Sequence, residues 1–136
     1  MREGRIRILF VDDSPNVLEG IRRMLYGFDR VWDLRYAGGG SEALALVTEA
    51  PCDIVVTDLQ MPGMDGGVLI RRIRALQPPT RCVVMCGDAE TPGAKAMAGQ
   101  GYPILEKPCD GDQIRAIIET EIRHLNRTGT TTEAEQ

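Results

Sequence analysis

The chain has 136 residues, 43% of them hydrophobic, and a formal charge of −4 at neutral pH. That is enough apolar material for one ordinary core without staples, and the acidic balance argues against nucleic acid as a direct partner. Cys52, Cys82, Cys86 and Cys109 show neither zinc-ligand spacing nor a compact disulfide framework, so reduced thiols are expected.

Met1 to Arg5 lead straight into the apolar run Ile6 to Val11, which is too short for a signal peptide or a membrane span. The expectation is a soluble, cytoplasmic protein without membrane insertion. The run reads as a strand and ends in Asp12-Asp13. Ser14-Pro15 then forms an N-cap and first-turn pair. A helix is predicted from there to about Tyr26, with Val17, Leu18, Ile21, Leu25 and Phe28 at helical spacing and Glu19, Arg22 and Arg23 on the solvated face. Val31 to Ala37 alternates, with Trp32, Leu34 and Tyr36 on one side, as an outer strand does. Gly38-Gly39-Gly40 makes a loop that lacks both the lysine of a phosphate-cradling loop and the glycine spacing of a dinucleotide site. Ser41 to about Ala50 is predicted helical, with Ala43, Leu44, Leu46 and Val47 inward, and Pro51 stops it.

Ile54, Val55 and Val56 form a short β-branched run that carries Asp58 at its end and is followed by the Pro62-Gly63 turn, the pattern of a parallel strand buried on both faces. The carboxyl ends of such strands are where open α/β sheets bind ligands. Two strands ending in acid bring Asp12, Asp13 and Asp58 to one edge if both are central. Three like charges that close require a cation, and oxygen-only donors point to Mg²⁺. Asp58 taken alone reads equally well as a loop-capping residue, whereas capping of the next helix is the lesser reading of Asp12-Asp13.

Asp65 opens the next helix, with Val68, Leu69, Ile70, Ile73 and Leu76 facing the sheet and Pro78-Pro79 ending it. Its outer arginines, Arg71, Arg72 and Arg74, have no aromatic stacking platform beside them and read as a solvated face. Cys82 to Gly87 is the fourth strand. Asp88 to Gly101 holds three glycines, a proline and few large apolar residues, so a short or mobile fourth helix is expected. Tyr102 to Cys109 is a fifth strand ending in Lys107-Pro108, and a lysine at that edge supplies a point charge suited to a phosphoryl group. Asp110 or Asp112 caps the last helix, whose apolar stripe is Ile114, Ile117, Ile118, Ile122 and Leu125. His124 is too isolated for a metal site. Residues 126–136 have no apolar stripe and are expected to form a disordered tail.

Taken together, Asp12-Asp13, Asp58 with Met61-Pro62-Gly63-Met64-Asp65-Gly66, and Lys107-Pro108 closely resemble the receiver domain of two-component response regulators, over roughly residues 5 to 125. The resemblance implies an α/β, flavodoxin-like (βα)5 three-layer sandwich whose five parallel strands run in the order 2-1-3-4-5, with a receiver domain over 1–125. It implies that Asp58 accepts a phosphoryl group from a histidine kinase or phosphotransfer protein, and that kinases dock beside the first helix. Asp13, Asp58 and the backbone carbonyl of Gln60 would hold Mg²⁺ directly, Asp12 would hold it through water, and Lys107 would pair with a phosphoryl oxygen. Backbone N–H groups near Leu59 and Gly87 would add donors. On this reading the chain is a phosphoacceptor with slow self-dephosphorylation rather than a turnover enzyme. It acts as a monomer or weak dimer, with its output made by a protein in trans or by a further module of a larger regulator.

Two positions depart from the receiver pattern. Cys86 stands where receivers usually carry Ser or Thr, and Ile104, three residues before Lys107, stands where they usually carry Tyr or Phe. The hydroxyl-and-aromatic switch is therefore missing at both ends, with Tyr102 the nearest aromatic. These departures favour a second reading, an interaction module indifferent to phosphorylation. A third, a Mg²⁺-dependent phosphatase with Asp58 as nucleophile, is disfavoured because such enzymes usually place a second Asp where this chain has Gln60. The wording Phe10 to Leu18, with Lys107 to Asp110, is similar to receivers found beside cyclic-dinucleotide or metal-dependent phosphohydrolase output modules.

Overall fold

The computed structural model describes residues 4–134. Five strands, β1 (Ile6–Val11), β2 (Trp32–Ala37), β3 (Ile54–Asp58), β4 (Arg81–Cys86) and β5 (Ile104–Glu106), alternate with five helices. These are α1 (Pro15–Met24), α2 (Gly40–Glu49), α3 (Gly66–Leu76), α4 (Pro92–Gly99) and α5 (Gly111–Ala134). The strands are all parallel, in the order β2-β1-β3-β4-β5. The expected doubly wound topology is what the chain adopts.

The central strands are buried on both faces, which explains why they are continuous apolar runs. Leu9, Val11, Val55 and Val84 point toward α2, α3 and α4, where Val47, Leu69, Ile73 and Met97 meet them. Ile8, Phe10, Val56, Val83 and Met85 point the other way, onto Ile21 and Leu25 of α1 and Ile114 and Ile118 of α5. The strand alternation thus divides the core into two layers. Register then sets the site: Val11 lies beside Thr57, Asp58 beside Met85, and Cys86 beside Glu106. All the strand ends reach one edge.

Helix starts follow their caps. The hydroxyl of Ser14 accepts from the Val17 N–H at 3.4 Å, Asp65 Oδ1 from Val68 at 2.9 Å, and Thr91 Oγ1 from Ala94 at 3.2 Å. Asp110, not Asp112, caps α5. Its Oδ1 accepts from the Gln113 N–H while Gln113 Oε1 accepts from the Asp110 N–H, both at 2.8 Å, a reciprocal box that satisfies two terminal donors.

Several boundaries differ from expectation. α1 ends at Met24 rather than near Tyr26 because Gly27, at φ 93°, turns the chain into a short 3-10 turn over Phe28–Arg30. Tyr26 is left 88% exposed. Leu76, expected to face the sheet, is 56% exposed, because it is the last residue of α3, where the helix has left the core. α4 is short, as its composition predicts. The stretch expected to be a disordered tail is helical through Ala134, since extending an existing helix needs no new nucleus. The rest of that expected tail, Glu135 and Gln136, and the first three residues lie outside the described residues. Among the described residues no helix is long and apolar enough to cross a membrane.

Candidate functional site

Asp12 is the residue after β1 and is 1% exposed. Each of its oxygens has a partner: Oδ1 accepts from the Ser14 N–H at 2.9 Å and Oδ2 from Lys107 Nζ at 2.8 Å. Asp58 closes β3 and is 7% exposed, with Oδ1 3.4 Å from the same Lys107 Nζ. Asp13 is exposed at the rim. Oxygens of Asp12, Asp13 and Asp58 lie within 4.8 Å of one another. Lys107 follows β5 directly, and its backbone N–H donates to the Cys86 carbonyl at 2.7 Å, which fixes where the side chain starts.

Burial and then the neighbouring Asp12 charge push the Asp58 carboxyl above the ordinary carboxylate range, against the pull of Lys107. Burial lowers the Lys107 ammonium, but its hydrogen bond to Asp12 and the Asp58 charge outweigh this and raise it. Three carboxylates therefore cluster beside one ammonium, which contacts two of them. The cluster is short of positive charge, and its donors are all hard oxygens, so the residues present fit a small divalent cation such as Mg²⁺.

The other residues singled out from the sequence fall around this cluster. Gln60 is exposed in the loop after β3, two positions past Asp58. The Leu59 N–H itself donates to the Met85 carbonyl at 2.8 Å. Cys86 closes β4 with its thiol buried, and burial followed by the Glu106 carboxylate pushes that thiol up, so it is a neutral, weak donor at pH 7. Ile104 and Tyr102 both pack against the core layer facing α2, α3 and α4, so the aromatic ring shares the face of Ile104.

Sequence reasoning missed what three residues do at the site. Gly66 brings the start of α3 against the end of β3: a Cβ there would lie 2.3 Å from the Asp58 carbonyl oxygen and 3.0 Å from Leu59 Cα. Its N–H donates to the Leu59 carbonyl at 2.8 Å. Ser14 supplies the amide that holds Asp12, a turn signal visible in Asp12-Asp13-Ser14. Glu106 ties β5 to the loop after β4, with no local sequence signal.

Over residues 8–119 the sequence matches the response regulator receiver domain family. The chain belongs to that family. It is 31% identical over 130 residues to the transcriptional regulatory protein ZraR of Salmonella typhimurium, an alignment that covers 95% of this chain and 29% of that protein. The signal receiver domain of an HD domain-containing protein from Pseudomonas fluorescens superposes with a TM-score of 0.82 at 28% identity, over 91% of this chain and 99% of that one. A CheY-like receiver from Methanospirillum hungatei, at 21% identity, shares the fold with a TM-score of 0.81 over 92% of this chain and 99% of its own. This receiver spans about a third or less of the curated relatives it matches, which are transcriptional regulatory proteins. Receiver domains of this family bind Mg²⁺ in an acidic pocket, and Asp12, Asp13 and Asp58 form such a pocket here.

Proposed function

We propose that this receiver accepts a phosphoryl group on Asp58 from a phosphohistidine of a histidine kinase or phosphotransfer protein, and signals by the protein contacts that follow. The observation that carries this reading is Lys107 Nζ reaching both Asp12 and Asp58 beside a third carboxylate at the end of a parallel sheet.

A carboxylate oxygen of Asp58 attacks phosphorus in line. The P–O bond forms as the P–N bond to the donor histidine breaks, and the imidazole leaves with the electron pair. Asp13, Asp58 and the Gln60 carbonyl would hold Mg²⁺, with Asp12 holding it through water, and the ion would supply charge neutralisation for the transfer. Lys107 swings from its longer contact with Asp58 onto a phosphoryl oxygen, while Asp12 keeps the ammonium aimed at the site. Water later hydrolyses the acyl phosphate slowly, so the signal limits itself. An apolar groove lined by Val17, Gly20, Ile21, Met24, Met85 and Cys109 opens beside Lys107, on the α1 side where a kinase is expected to dock.

Residues 1–125 are the acceptor unit in this reading, acting in the cytoplasm as a monomer or weak dimer. The output is a further protein, or a further domain of a longer chain, as in the relatives. A second reading has support from Cys86 and Ile104: a module that binds its partner whether or not Asp58 is phosphorylated. Intact-mass analysis after acetyl phosphate and Mg²⁺ decides. A phosphoryl adduct on the native chain that is absent from Asp58→Asn supports the acceptor reading. No adduct on the native chain leaves the second.

A further inference from the structure

We infer that Glu106 is the positioning residue for the loop between β4 and α4, a latch that holds the loop's backbone donors back from Asp58 until a phosphoryl group competes for them. This rests on the acceptor reading of Asp58.

The loop, residues 87–91, leaves the site edge one residue after Cys86. Glu106 Oε2 accepts from the Ala89 N–H at 3.0 Å. Among the described residues this is the one hydrogen bond between the loop and β5. The others stay local: Asp88 Oδ1 accepts from Glu90 at 2.9 Å, and the Asp88 carbonyl accepts from Thr91 Oγ1 at 3.2 Å. Glu106 is well placed to act. It lies beside Cys86 in the strand register, on the face turned toward α4, and its backbone is fixed because the next residue, Lys107, donates its N–H to Cys86. Strand geometry, not loop geometry, therefore sets the position of the carboxylate.

The same corner contains the groups that sense Asp58. Cys86 lies beside Glu106 in the register, its thiol is paired with the Asp88 backbone N–H, and it feels the charges of Glu106, Asp88 and Asp58. A thiol gives a phosphoryl oxygen only a weak donor, so in this receiver the loop's backbone amides are the stronger candidates. Two of those amides, of Ala89 and Glu90, are held by carboxylates already. A phosphoryl group on Asp58 brings about two further negative charges and three acceptor oxygens to the same edge. Drawing the loop onto them lengthens and breaks the bond from Ala89 to Glu106, and α4 follows because it starts at Pro92. Glu106 thus couples the state of Asp58 to the position of α4 without a hydroxyl or a mobile aromatic.

The test is amide exchange at Ala89 together with beryllofluoride affinity in Mg²⁺, on the whole chain, in the native protein, Glu106→Ala and Glu106→Gln. In the resting protein Glu106→Ala speeds Ala89 exchange by about tenfold and tightens beryllofluoride binding about fivefold, as expected for one charge-assisted hydrogen bond at a wet surface. Glu106→Gln, whose amide oxygen still accepts, keeps most of the protection. A charge effect alone would make the two variants equal. Beryllofluoride should release Ala89 in the native protein. The latch is overturned if Ala89 exchanges equally in the native protein and Glu106→Ala, or if the two variants match. Failure of beryllofluoride to bind the native chain would instead remove the acceptor reading, and the resting exchange data would still decide whether Glu106 holds the loop.

Discussion

Lys107 has two partners and one ammonium, and the geometry ranks them: 2.8 Å to Asp12 and 3.4 Å to Asp58. The shorter contact anchors and the longer one is available for exchange with a phosphoryl oxygen. Lys107→Ala should therefore leave Mg²⁺ binding intact, since it removes only a competing cation, and cut the rate of Asp58 phosphorylation by about a hundredfold, the scale of one preorganised electrostatic group. Calorimetric Mg²⁺ titration and acetyl phosphate kinetics read the two effects, and an unchanged phosphorylation rate would sink the assigned role. Asp58 carries its own cost. Its carboxyl is raised on folding, by burial first and Asp12 second, so its charged form is penalised in the folded state. The sign follows: the penalty is complete above the raised value and disappears as pH falls below the ordinary carboxyl value of the unfolded chain. Asp58→Asn should raise the melting temperature at pH 7 without Mg²⁺, with the gain shrinking on acidification or on adding Mg²⁺. An equal or lower melting temperature at pH 7 would contradict this. At this scale the sequence was legible where a residue's role depended on its neighbours in the chain. Asp12, Asp58 and Lys107 each end an apolar run. Glu106 and the 1% exposed Glu121, which accepts from Arg81 at 2.8 Å, could not be read, because their partners lie 17 and 40 residues away.

Elements inherit these residue-level constraints. The start of α3 sits so close to the end of β3 that only glycine fits at position 66, because the obstructing atoms belong to the backbone of Asp58 and Leu59 and cannot rotate away. Gly66→Ala should cost about 3 kcal/mol, the size expected when a side chain is forced into a packed backbone contact. Urea unfolding measures it, and a loss below about 0.5 kcal/mol, the range of neutral surface changes, would show that α3 can move. Helix starts were readable from Ser14, Asp65 and Asp110 because a cap is a local motif. Helix ends were less so. The sequence reading carried α1 to Tyr26 because apolar periodicity continues through Leu25 and Phe28, yet the positive φ of Gly27 breaks the helix and lets Phe28 stack on Trp32 from a separate turn. α5 erred in the opposite direction, since polarity says that a segment need not be buried, not that it cannot remain helical.

Over the whole molecule, the question is whether an event at Asp58 reaches α4 and β5. The sheet is rigid and common to the family, so the answer depends on how the ends of β4 and β5 are coupled. In this chain Cys86 is buried with a weak donor, and Ile104 and Tyr102 are both partly buried against the layer facing α4. Restoring the hydroxyl tests that coupling. Cys86→Thr is close in volume, and the new hydroxyl would stand beside Glu106 and near Asp58, where it can donate to a phosphoryl oxygen. With Mg²⁺ and beryllofluoride, amide shifts in the native protein should be concentrated near Asp58, in residues 87–91 and in α4. In Cys86→Thr they should grow in the loop and spread toward residues 102–107, because the strand end now moves with the phosphoryl mimic rather than only the backbone donors. Identical shift patterns in the two proteins would mean that the hydroxyl adds nothing to the route through Glu106. A native pattern already extending through β5 would mean that signalling here never depended on the residue at position 86.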